Sequence, residues 1–432
     1  MSKRILSCVL VITLLLLAAA CQNTQTTTAG NKPVTLRFSW WGTDARHQAT
    51  LAAIDAYKKV ADHVTIEAEY MGFDGYQQKM ITQLAGRTAP DIVQFHRDWL
   101  PDANASDSPK LAELSTLPEM DLSGYAQSLL AASGSFNGKI YLAPSGVIGM
   151  ATVFSKTFFE AFNLEIKDQY SWDDVFAMGE AVQAKNKDSY LTTVDIDVLN
   201  VILFGPYIAQ KTGKAFANDT YELNYTKEDI QEGLQFVLDL YKKGVIEPFG
   251  EGSVFVGKME QNPKWLNNQI GILFDITNGI SKYKASQPEN TLGVTKLPLR
   301  ENAVMSGIDF SGNTGFCISA ASTSLSESAK FLSWLVNSKE AALQLKDSRG
   351  VPATTGAFNA LVEAGMLDED LAKAVEYSKE NSYGVNVVSG NVELLQIRKD
   401  ILQEVIYSRI TPAEGAELMV TRFTNKLSEM KP

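Results

Sequence analysis

The stretch VTLRFSWW at residues 34–41 is the clearest structural signal in the chain. Leu36, Phe38 and Trp40 alternate with polar residues, which is the period of a β-strand with one buried face. The series continues with a helix capped by Thr43 or Asp44, a strand at 63–70, a helix at 76–86 and a strand at 91–95. Strands separated by single helices pair in parallel through right-handed crossovers. The sequence therefore predicts an α/β lobe at this end of the protein.

The overall composition indicates a globular protein with more than one core. The chain has 432 residues, of which 45% are hydrophobic and 21% are charged. Two domains are the usual solution at this length. The net charge of −11 argues against nucleic acid as a partner, because such surfaces need clustered Lys and Arg. One local arginine can still bind an anionic small ligand within a negatively charged protein.

Cysteines and histidines give no cofactor or metal signature. The cysteines are Cys8, Cys21 and Cys317, and the histidines His47, His63 and His96 show no metal-binding spacing. We expect Cys317, which lies in a strand-like run, to be a buried and inert thiol. The sequence predicts no cofactor and no metal.

The N-terminus predicts export and a membrane anchor. Lys3 and Arg4 precede an uncharged apolar run at residues 5–20, which is the pattern of a secretory signal peptide. Small residues lead directly into Cys21, and this arrangement resembles a bacterial lipoprotein signal, in which that cysteine is acylated. An ordinary cleaved signal followed by a coincidental cysteine is the alternative. The signal peptide is assigned to 1–20 and a lipidated flexible tether to 21–33, because the latter stretch is polar and Thr-rich.

Capping signatures place several helices later in the chain. The pairs Ser171/Asp174, Thr226/Asp229 and Thr411/Glu414 have the three-residue spacing of a capping box. A helix at 326–337 has Ala329, Leu332, Leu335 and Val336 on one face. We expect helices to dominate the last third of the chain.

The order of these segments resembles family 1 extracellular solute-binding proteins of ABC importers, which include oligosaccharide-binding lipoproteins. The resemblance rests on the following stretches: VTLRFSWWG at 34–42, GRTAPDIVQF at 86–95, GKIYLAPSGV at 138–147, VFSKTFFEAFNL at 153–164, SWDDVFAMGEAV at 171–182, GILFDITNGI at 271–280 and the block at 331–358. WWGTDARH at 40–47 resembles the start of a subgroup associated with plant cell-wall oligosaccharides, including acidic pectin fragments. The resemblance implies a ligand that is an oligosaccharide, a permease with transmembrane subunits as partner, and a monomer.

The same resemblance implies an α/β, two-lobe periplasmic-binding-protein-like fold with an interlobe ligand cleft and hinge closure. The N-terminal lobe is assigned to 34–147 plus 297–320, and the C-terminal lobe to 148–296 plus 321–432. The chain is expected to cross between the lobes near residues 145–150, 294–299 and 317–324.

Candidate ligand-binding residues follow the first three strands, because open parallel sheets bind ligands beyond the carboxyl ends of their strands. These residues are Trp41, Arg46, His47, Phe73, Tyr76, His96 and Trp99. Aromatic rings suit the apolar faces of sugars, and planar polar groups suit hydroxyl pairs. Trp41 could instead be a core residue, and Trp99 could be a surface anchor for the proline-bearing loop that follows it. Arg46 lies in the first turn of a helix and needs an anionic partner, either a ligand carboxylate or Asp44.

The resemblance adds candidates in the later part of the chain. They are Asp275, Asn278, Asp309, Phe310 and Tyr383, with Asn278 standing where many sugar-binding relatives have a stacking aromatic residue. We expect Arg46→Ala to weaken an acidic oligosaccharide far more than a neutral one.

No catalytic motif supports an enzyme. Asp173 and Asp174 are adjacent on a helix and point about 100° apart, so they do not form a glycosidase pair. The predicted function is capture of an oligosaccharide. Two alternatives stay open: a binding protein for another solute, such as a glycerol phosphodiester, a peptide or a polyamine, and a secreted carbohydrate-active lipoprotein enzyme.

Overall fold

The computed structural model describes residues 32–104, 108–386 and 388–431. The predicted signal peptide and the acylation site Cys21 lie outside the described residues. Within the described part of the chain, no helix is long and apolar enough to span a membrane.

Five strands form the first sheet, in the spatial order Val64–Met71 (β2), Val34–Trp41 (β1), Ile92–His96 (β3), Thr314–Ile318 (β12) and Ala143–Pro144 (β6). β1 pairs in parallel with β2 and β3, as the strand–helix–strand series predicts, and β12 runs antiparallel to β3 and β6. The side chains of β1 alternate between two apolar clusters, so that Trp40 packs in one and Trp41 in the other. Both tryptophans are buried.

Four strands form the second sheet, in the order Leu292–Thr295 (β11), Met150–Ser155 (β8), Ile270–Ile276 (β10) and Tyr190–Thr193 (β9). Two short antiparallel pairs join Gly146–Val147 (β7) to Val351–Pro352 (β13) and Ser135–Phe136 (β4) to Lys139–Ile140 (β5).

Helices surround both sheets. Those of seven or more residues are Asp44–Tyr57 (α1), Tyr76–Ala85 (α2), Lys156–Phe162 (α3), Trp172–Lys185 (α4), Gly205–Thr212 (α5), Lys227–Lys242 (α6), Ile280–Ser286 (α7), Leu325–Asn337 (α8), Lys339–Leu345 (α9), Thr355–Glu363 (α10), Glu369–Lys379 (α11), Val392–Ile406 (α12) and Pro412–Met430 (α13). Shorter α-helical turns are Leu100–Asn104, Gln127–Leu129, Ile196–Val198, Phe249–Gly252 and Pro263–Leu266. The 3-10 turns are Arg97–Trp99, Leu114–Thr116, Ser253–Phe255, Met259–Gln261 and Thr277–Gly279, and the π-helical turns are Leu130–Gly134 and Leu199–Phe204.

The predicted capping boxes are confirmed at α4, α6 and α13. In each helix the N-cap hydroxyl accepts from the third backbone N–H, and the third side chain accepts from the N-cap N–H. α1 begins after Thr43 without a side-chain cap. Ile54 and Tyr57 of this helix are buried, whereas the apolar residue Val60 lies beyond its end and is exposed.

The chain passes between the two sheets three times. The first passage joins β6 to β8, across residues 145–149, and the second runs from β11 to β12, across residues 296–313. The predicted third passage at 317–324 is wrong. α8 contacts β1 and β12, and α9 contacts α1, whereas the later helix α11 contacts β8 and β11 of the second sheet.

The predicted lobe boundary is therefore corrected. The apolar face of α8 covers β1 and β12, α9 packs on α1, and α10 packs on α8 and α9, so that residues 325–363 belong to the first lobe and the return to the second sheet comes between α10 and α11. The sequence analysis assigns 321–432 to the second lobe. The apolar pattern of a helix shows which of its faces is buried, but it does not show which sheet covers that face.

Candidate functional site

A cleft of about 310 Å³ lies between the two sheets. The ends of β3 and β12 and the crossing at 148–150 meet there with the end of β10 and the helical segments at 201–206. Residues 383–386 and 388–398 close another side. Its lining residues are His96, Arg97, Asp98, Ile148, Gly149, Met150, Val201, Ile202, Gly205, Pro206, Phe216, Ile276, Asp309, Ser311, Asn313, Tyr383, Val385, Ser389, Gly390, Leu395 and Arg398. Apolar walls with a few convergent polar groups are typical of small-molecule sites.

Arg398 is the most unusual residue of this cleft. Its side chain is only 6% exposed, yet it makes no hydrogen bond and no ion pair with any residue that the structure describes. The guanidinium carbon lies 4.5 Å from the centre of the Phe216 ring, a cation–π distance. Burial lowers the pKa of Arg398 to about 10, with Tyr383 and Tyr225 opposing that shift. A buried cation without an acceptor is costly, so this wall favours an anionic group in the cleft.

Arg97 lies on the wall that belongs to the first sheet. It is 7% exposed and donates from Nη1 to the Val385 carbonyl at 3.1 Å. Its Nε makes no hydrogen bond and lies 3.5 Å from Asp98 Oδ1, in a carboxylate that is half exposed. Arg97 therefore has one neutral acceptor, the Val385 carbonyl, and one half-exposed carboxylate, that of Asp98, near its guanidinium. Its Nε is still able to donate a hydrogen bond to a ligand.

Asp309 and Tyr383 form a short parallel bridge beside Arg97. The backbone N–H of Val385 donates to Asp309 Oδ1 at 3.0 Å, and Tyr383 N donates to the Ile308 carbonyl at 3.0 Å. Burial raises the pKa of Asp309, while Arg97 opposes this shift. Burial likewise holds the pKa of Tyr383 well above its usual range. These contacts fix the segment that closes the cleft.

An aromatic cluster extends from the cleft into the first lobe. Trp41, Tyr76 and Trp99 are buried, and the Trp41 ring lies 5.0 Å from Tyr76 and 5.3 Å from Trp99. Phe73 covers this cluster and is 55% exposed. His96 connects the cluster to the cleft, with its ring 5.7 Å from Trp99. Burial lowers the pKa of His96, and Asp98 opposes that shift.

The other predicted residues of the first lobe have structural partners. Arg46 donates from Nε to the Ser348 carbonyl at 2.9 Å and from Nη1 to the Trp41 carbonyl at 3.3 Å. Its partners are thus backbone carbonyls, and neither Asp44 nor another described carboxylate pairs with it. His47 is buried, and its Nδ1 accepts from the Trp40 indole at 3.1 Å.

The later candidates divide between the cleft and the core. Asp309 and Tyr383 line the cleft, whereas the Phe310 side chain is buried in the main core. Asp275 accepts from the Tyr283 hydroxyl and pairs with Lys282 at 3.3 Å, so its acceptors are already engaged. The side chain of Asn278 lies outside the described part of the structure.

Sequence reasoning missed Arg398, although the chain contains a signal for it. The buried face of α12 consists of Leu394, Arg398, Ile401, Leu402 and Val405. A cation inside an apolar stripe of helical period is unusual, because Arg is rarely fully buried unless it is paired. That pattern indicates that Arg398 needs an anionic or hydrogen-bonding partner.

A metal site and a second surface depression are weaker candidates than the cleft. Residues 32–104, 108–386 and 388–431 contain no group of three His, Cys, Asp or Glu side chains that could hold a metal ion. A depression of about 630 Å³ lies beside β9 and the end of α6, but its lysines Lys187, Lys242 and Lys243 are exposed. We therefore take the interlobe cleft as the functional site.

Two α/β lobes, connected by three passages of the chain and separated by a cleft with apolar walls and a few polar groups, define a binding protein of the two-lobe class. The chain belongs to the bacterial extracellular solute-binding protein family, whose model matches residues 52–365. The resemblance noted from the sequence is thereby confirmed at the level of the family.

Solved structures agree with this fold. A periplasmic oligogalacturonide binding protein from Yersinia enterocolitica is 24% identical, with a TM-score of 0.81 over 92% of this chain and 100% of that chain. Its complex with saturated digalacturonic acid is 23% identical, with a TM-score of 0.69 and the same coverage.

A de novo designed cysteine esterase is also similar in structure, at 24% identity and a TM-score of 0.84 over 92% of this chain and 99% of that chain. The described cysteine of this chain, Cys317, is buried, and burial raises the pKa of its thiol well above the usual range. A nucleophilic cysteine needs the opposite shift.

Proposed function

We propose that this protein captures an acidic oligosaccharide of the uronic-acid type in the interlobe cleft and delivers it to the permease of an ABC importer. The observation that carries the proposal is Arg398, a buried guanidinium that faces the cleft without a hydrogen-bond or ionic partner among the described residues. A sugar carboxylate supplies both the charge and the acceptor atoms that this group lacks.

The position of the two arginines supports binding by lobe closure. Arg97 follows β3 of the first sheet, and Arg398 lies on α12, which contacts the helical segment Leu199–Phe204 beside the second lobe. A ligand that contacts both walls stabilises the closed form by its higher affinity for that form. Family membership supports the capture of a solute, and the similar structure from Yersinia enterocolitica is that of an oligogalacturonide binding protein, which supports this class of ligand.

A ligand panel tests the proposal directly. Thermal unfolding of the purified protein is measured with di- and trigalacturonate, with their methyl esters, with neutral oligosaccharides of equal length and with glycerophosphodiesters. A ligand that binds only the folded state raises the unfolding midpoint with increasing concentration. We expect a shift with the free acids and little with the methyl esters, because esterification removes the charge and keeps the ring.

The contrary outcomes are informative. A rise of the unfolding midpoint with neutral sugars alone would contradict the proposal of an acidic ligand but would still support a sugar-binding protein. A shift with glycerophosphodiesters alone would assign the same arginines to a phosphate group.

Anchoring to the membrane is a separate part of the proposal and rests on the sequence pattern before Cys21. We expect Cys21→Ser to move the protein from the membrane fraction to the soluble fraction of expressing cells, since acylation supplies the anchor. Retention of the variant in the membrane fraction would contradict lipidation at this cysteine.

A further inference from the structure

A second, much smaller cavity lies in the first lobe, apart from the ligand cleft. It encloses about 20 Å³ among β12, β13 and helices α8 and α9. Its polar lining consists of Ser145, Lys346, Ser348 and Arg349, and the rest is apolar. Of the described residues that line it, none is acidic.

Arg349 is buried here, with 9% of its surface exposed. Its Nε donates to Gln94 Oε1 at 3.1 Å and its Nη2 donates to Thr50 Oγ1 at 2.8 Å. Its Nη1 is buried and has no hydrogen-bond partner within the described chain. The guanidinium carbon also lies 5.2 Å from the centre of the Phe316 ring.

The neighbours of Arg349 add donors rather than negative charge. Ser348 Oγ and Gln94 Nε2 are buried, and neither has a hydrogen-bond partner among the described residues. Arg46 is also close, since its Nε donates to the Ser348 carbonyl. Burial and the charge of Arg46 lower the pKa of Arg349 to about 9.

A buried guanidinium with a spare donor and no acid is an incomplete ion pair. Such a charge is expensive to bury alone, and it is stabilised when an anion accepts its remaining N–H groups. The space corresponds to roughly one small sphere, since a single water already needs about 10–15 Å³ on this measure. We propose that this cavity binds one monatomic anion of chloride size, held by Arg349 Nη1 and Ser348 Oγ.

The anion has a structural role in this proposal. Arg349 precedes β13, which pairs with β7 at the first passage between the lobes. Gly146 of β7 packs so closely on the Arg349 carbonyl that a Cβ there would lie 2.2 Å from the oxygen. Because β7 packs this closely on Arg349, an anion that neutralises the Arg349 guanidinium would also stabilise the packing at this passage. This effect does not depend on the solute that the cleft binds.

The test is the anion dependence of unfolding. The midpoint of thermal unfolding of the purified protein is measured at constant sodium concentration while chloride replaces gluconate. We expect the midpoint to rise with chloride and to saturate, with bromide acting similarly and sulfate, which is too large for the cavity, giving no such rise. Equal midpoints in chloride and gluconate would mean that the cavity holds water only and would overturn the proposal. An equal rise with sulfate would indicate a general salt effect and would overturn it as well.

Single-residue variants test whether the chloride dependence comes from this cavity. We expect Arg349→Met to lose the chloride dependence and Ser348→Ala, which removes an unpartnered hydroxyl, to need more chloride for the same rise. Ser348→Ala keeps the test decisive if Arg349→Met does not fold. Arg422→Met, at an exposed arginine of α13, is the matched control and should keep the full dependence. An undiminished response in either cavity variant would overturn the assignment of these two residues.

Discussion

Arg349 and Arg398 are both buried arginines without an acidic hydrogen-bond partner in the described chain, yet their surroundings differ. Arg349 donates two hydrogen bonds to neutral side chains and lines a small cavity of the first lobe. Arg398 donates none, and it lies on the wall of a much larger cleft. Each guanidinium packs on a phenylalanine ring.

The hydrogen bonds of a buried arginine distinguish a residue that stabilises the fold from one that binds a ligand. Hydrogen bonds to fixed neighbours tie Arg349 to α1 and β3, so its removal must disturb the packing of those elements. Arg398 has no such ties, so the native state gains little from its charge. Its acceptors must come from outside, which is the arrangement expected of a binding residue.

The largest effect is expected for Arg398→Met. The variant keeps the length and the apolar stem of the side chain but cannot donate to a carboxylate. We expect affinity for an acidic oligosaccharide to fall by about 2–4 kcal/mol, or roughly 30- to 1,000-fold, measured by calorimetric titration. Stability of the ligand-free protein in urea should not fall, because the variant loses no hydrogen bond and no longer buries an unpaired charge.

Arg300→Met is the matched control for this change. Arg300 also lies over an aromatic ring, that of Tyr207, but it pairs with Glu232 and does not line the cleft. We expect this control to bind the acid normally. If Arg398→Met binds the acid as well as the unchanged protein does, the distinction between the two buried arginines fails.

The next effect in size is the stability of Arg349→Met. The change removes hydrogen bonds to Gln94 and Thr50 and leaves both acceptors buried. We expect the free energy of unfolding in urea to fall by about 2 kcal/mol, while the folded variant keeps its affinity for the cleft ligand. A variant that is as stable as the unchanged protein would show that these hydrogen bonds contribute nothing net.

A smaller, pH-dependent effect is expected for Asp309→Asn. Burial raises the pKa of Asp309, so the folded state favours its protonated form. The stabilising contribution of this group is present below its unfolded pKa and is lost as the pH rises through its folded pKa. The amide keeps an oxygen for the Val385 N–H and cannot ionise. We therefore expect the stability of the variant relative to the unchanged protein to increase from acidic to neutral pH.

Urea unfolding at several pH values checks this prediction. Asp98→Asn is the control, because Asp98 is half exposed and solvent screens its charge. A stability difference that is independent of pH in Asp309→Asn would show that Asp309 ionises as readily in the folded protein as in the unfolded one.

The fold could be predicted from the sequence where short-range patterns decide it. The alternation at 34–41 places Trp40 and Trp41 on opposite faces, and the three capping boxes give the starts of α4, α6 and α13. The third passage between lobes could not be predicted in this way. α8 has a clear apolar face, but the identity of the sheet beneath it depends on contacts with β1 and β12 that are distant in sequence.

The candidate site was only partly predictable, for the same reason. His96 follows a parallel strand and lines the cleft as the strand-end argument requires. Trp41 and Tyr76 also lie at the predicted end of the sheet, but their rings pack on each other and on Trp99. Arg398 comes from a helix about 300 residues later, and only the tertiary fold brings it opposite Arg97.

The smallest effect is expected for Arg46→Ala. The sequence suggested that a ligand carboxylate is the partner of Arg46, whereas the structure gives it the carbonyls of Ser348 and Trp41. These contacts tie the start of α1 to the loop before Arg349, so the change should reduce stability by about 1 kcal/mol. We now expect acidic and neutral oligosaccharides to lose affinity equally, if at all, in parallel titrations. A selective loss of the acidic ligand would support the hypothesis drawn from the sequence and would extend the ligand site from the Arg398 wall to the carboxyl end of β1.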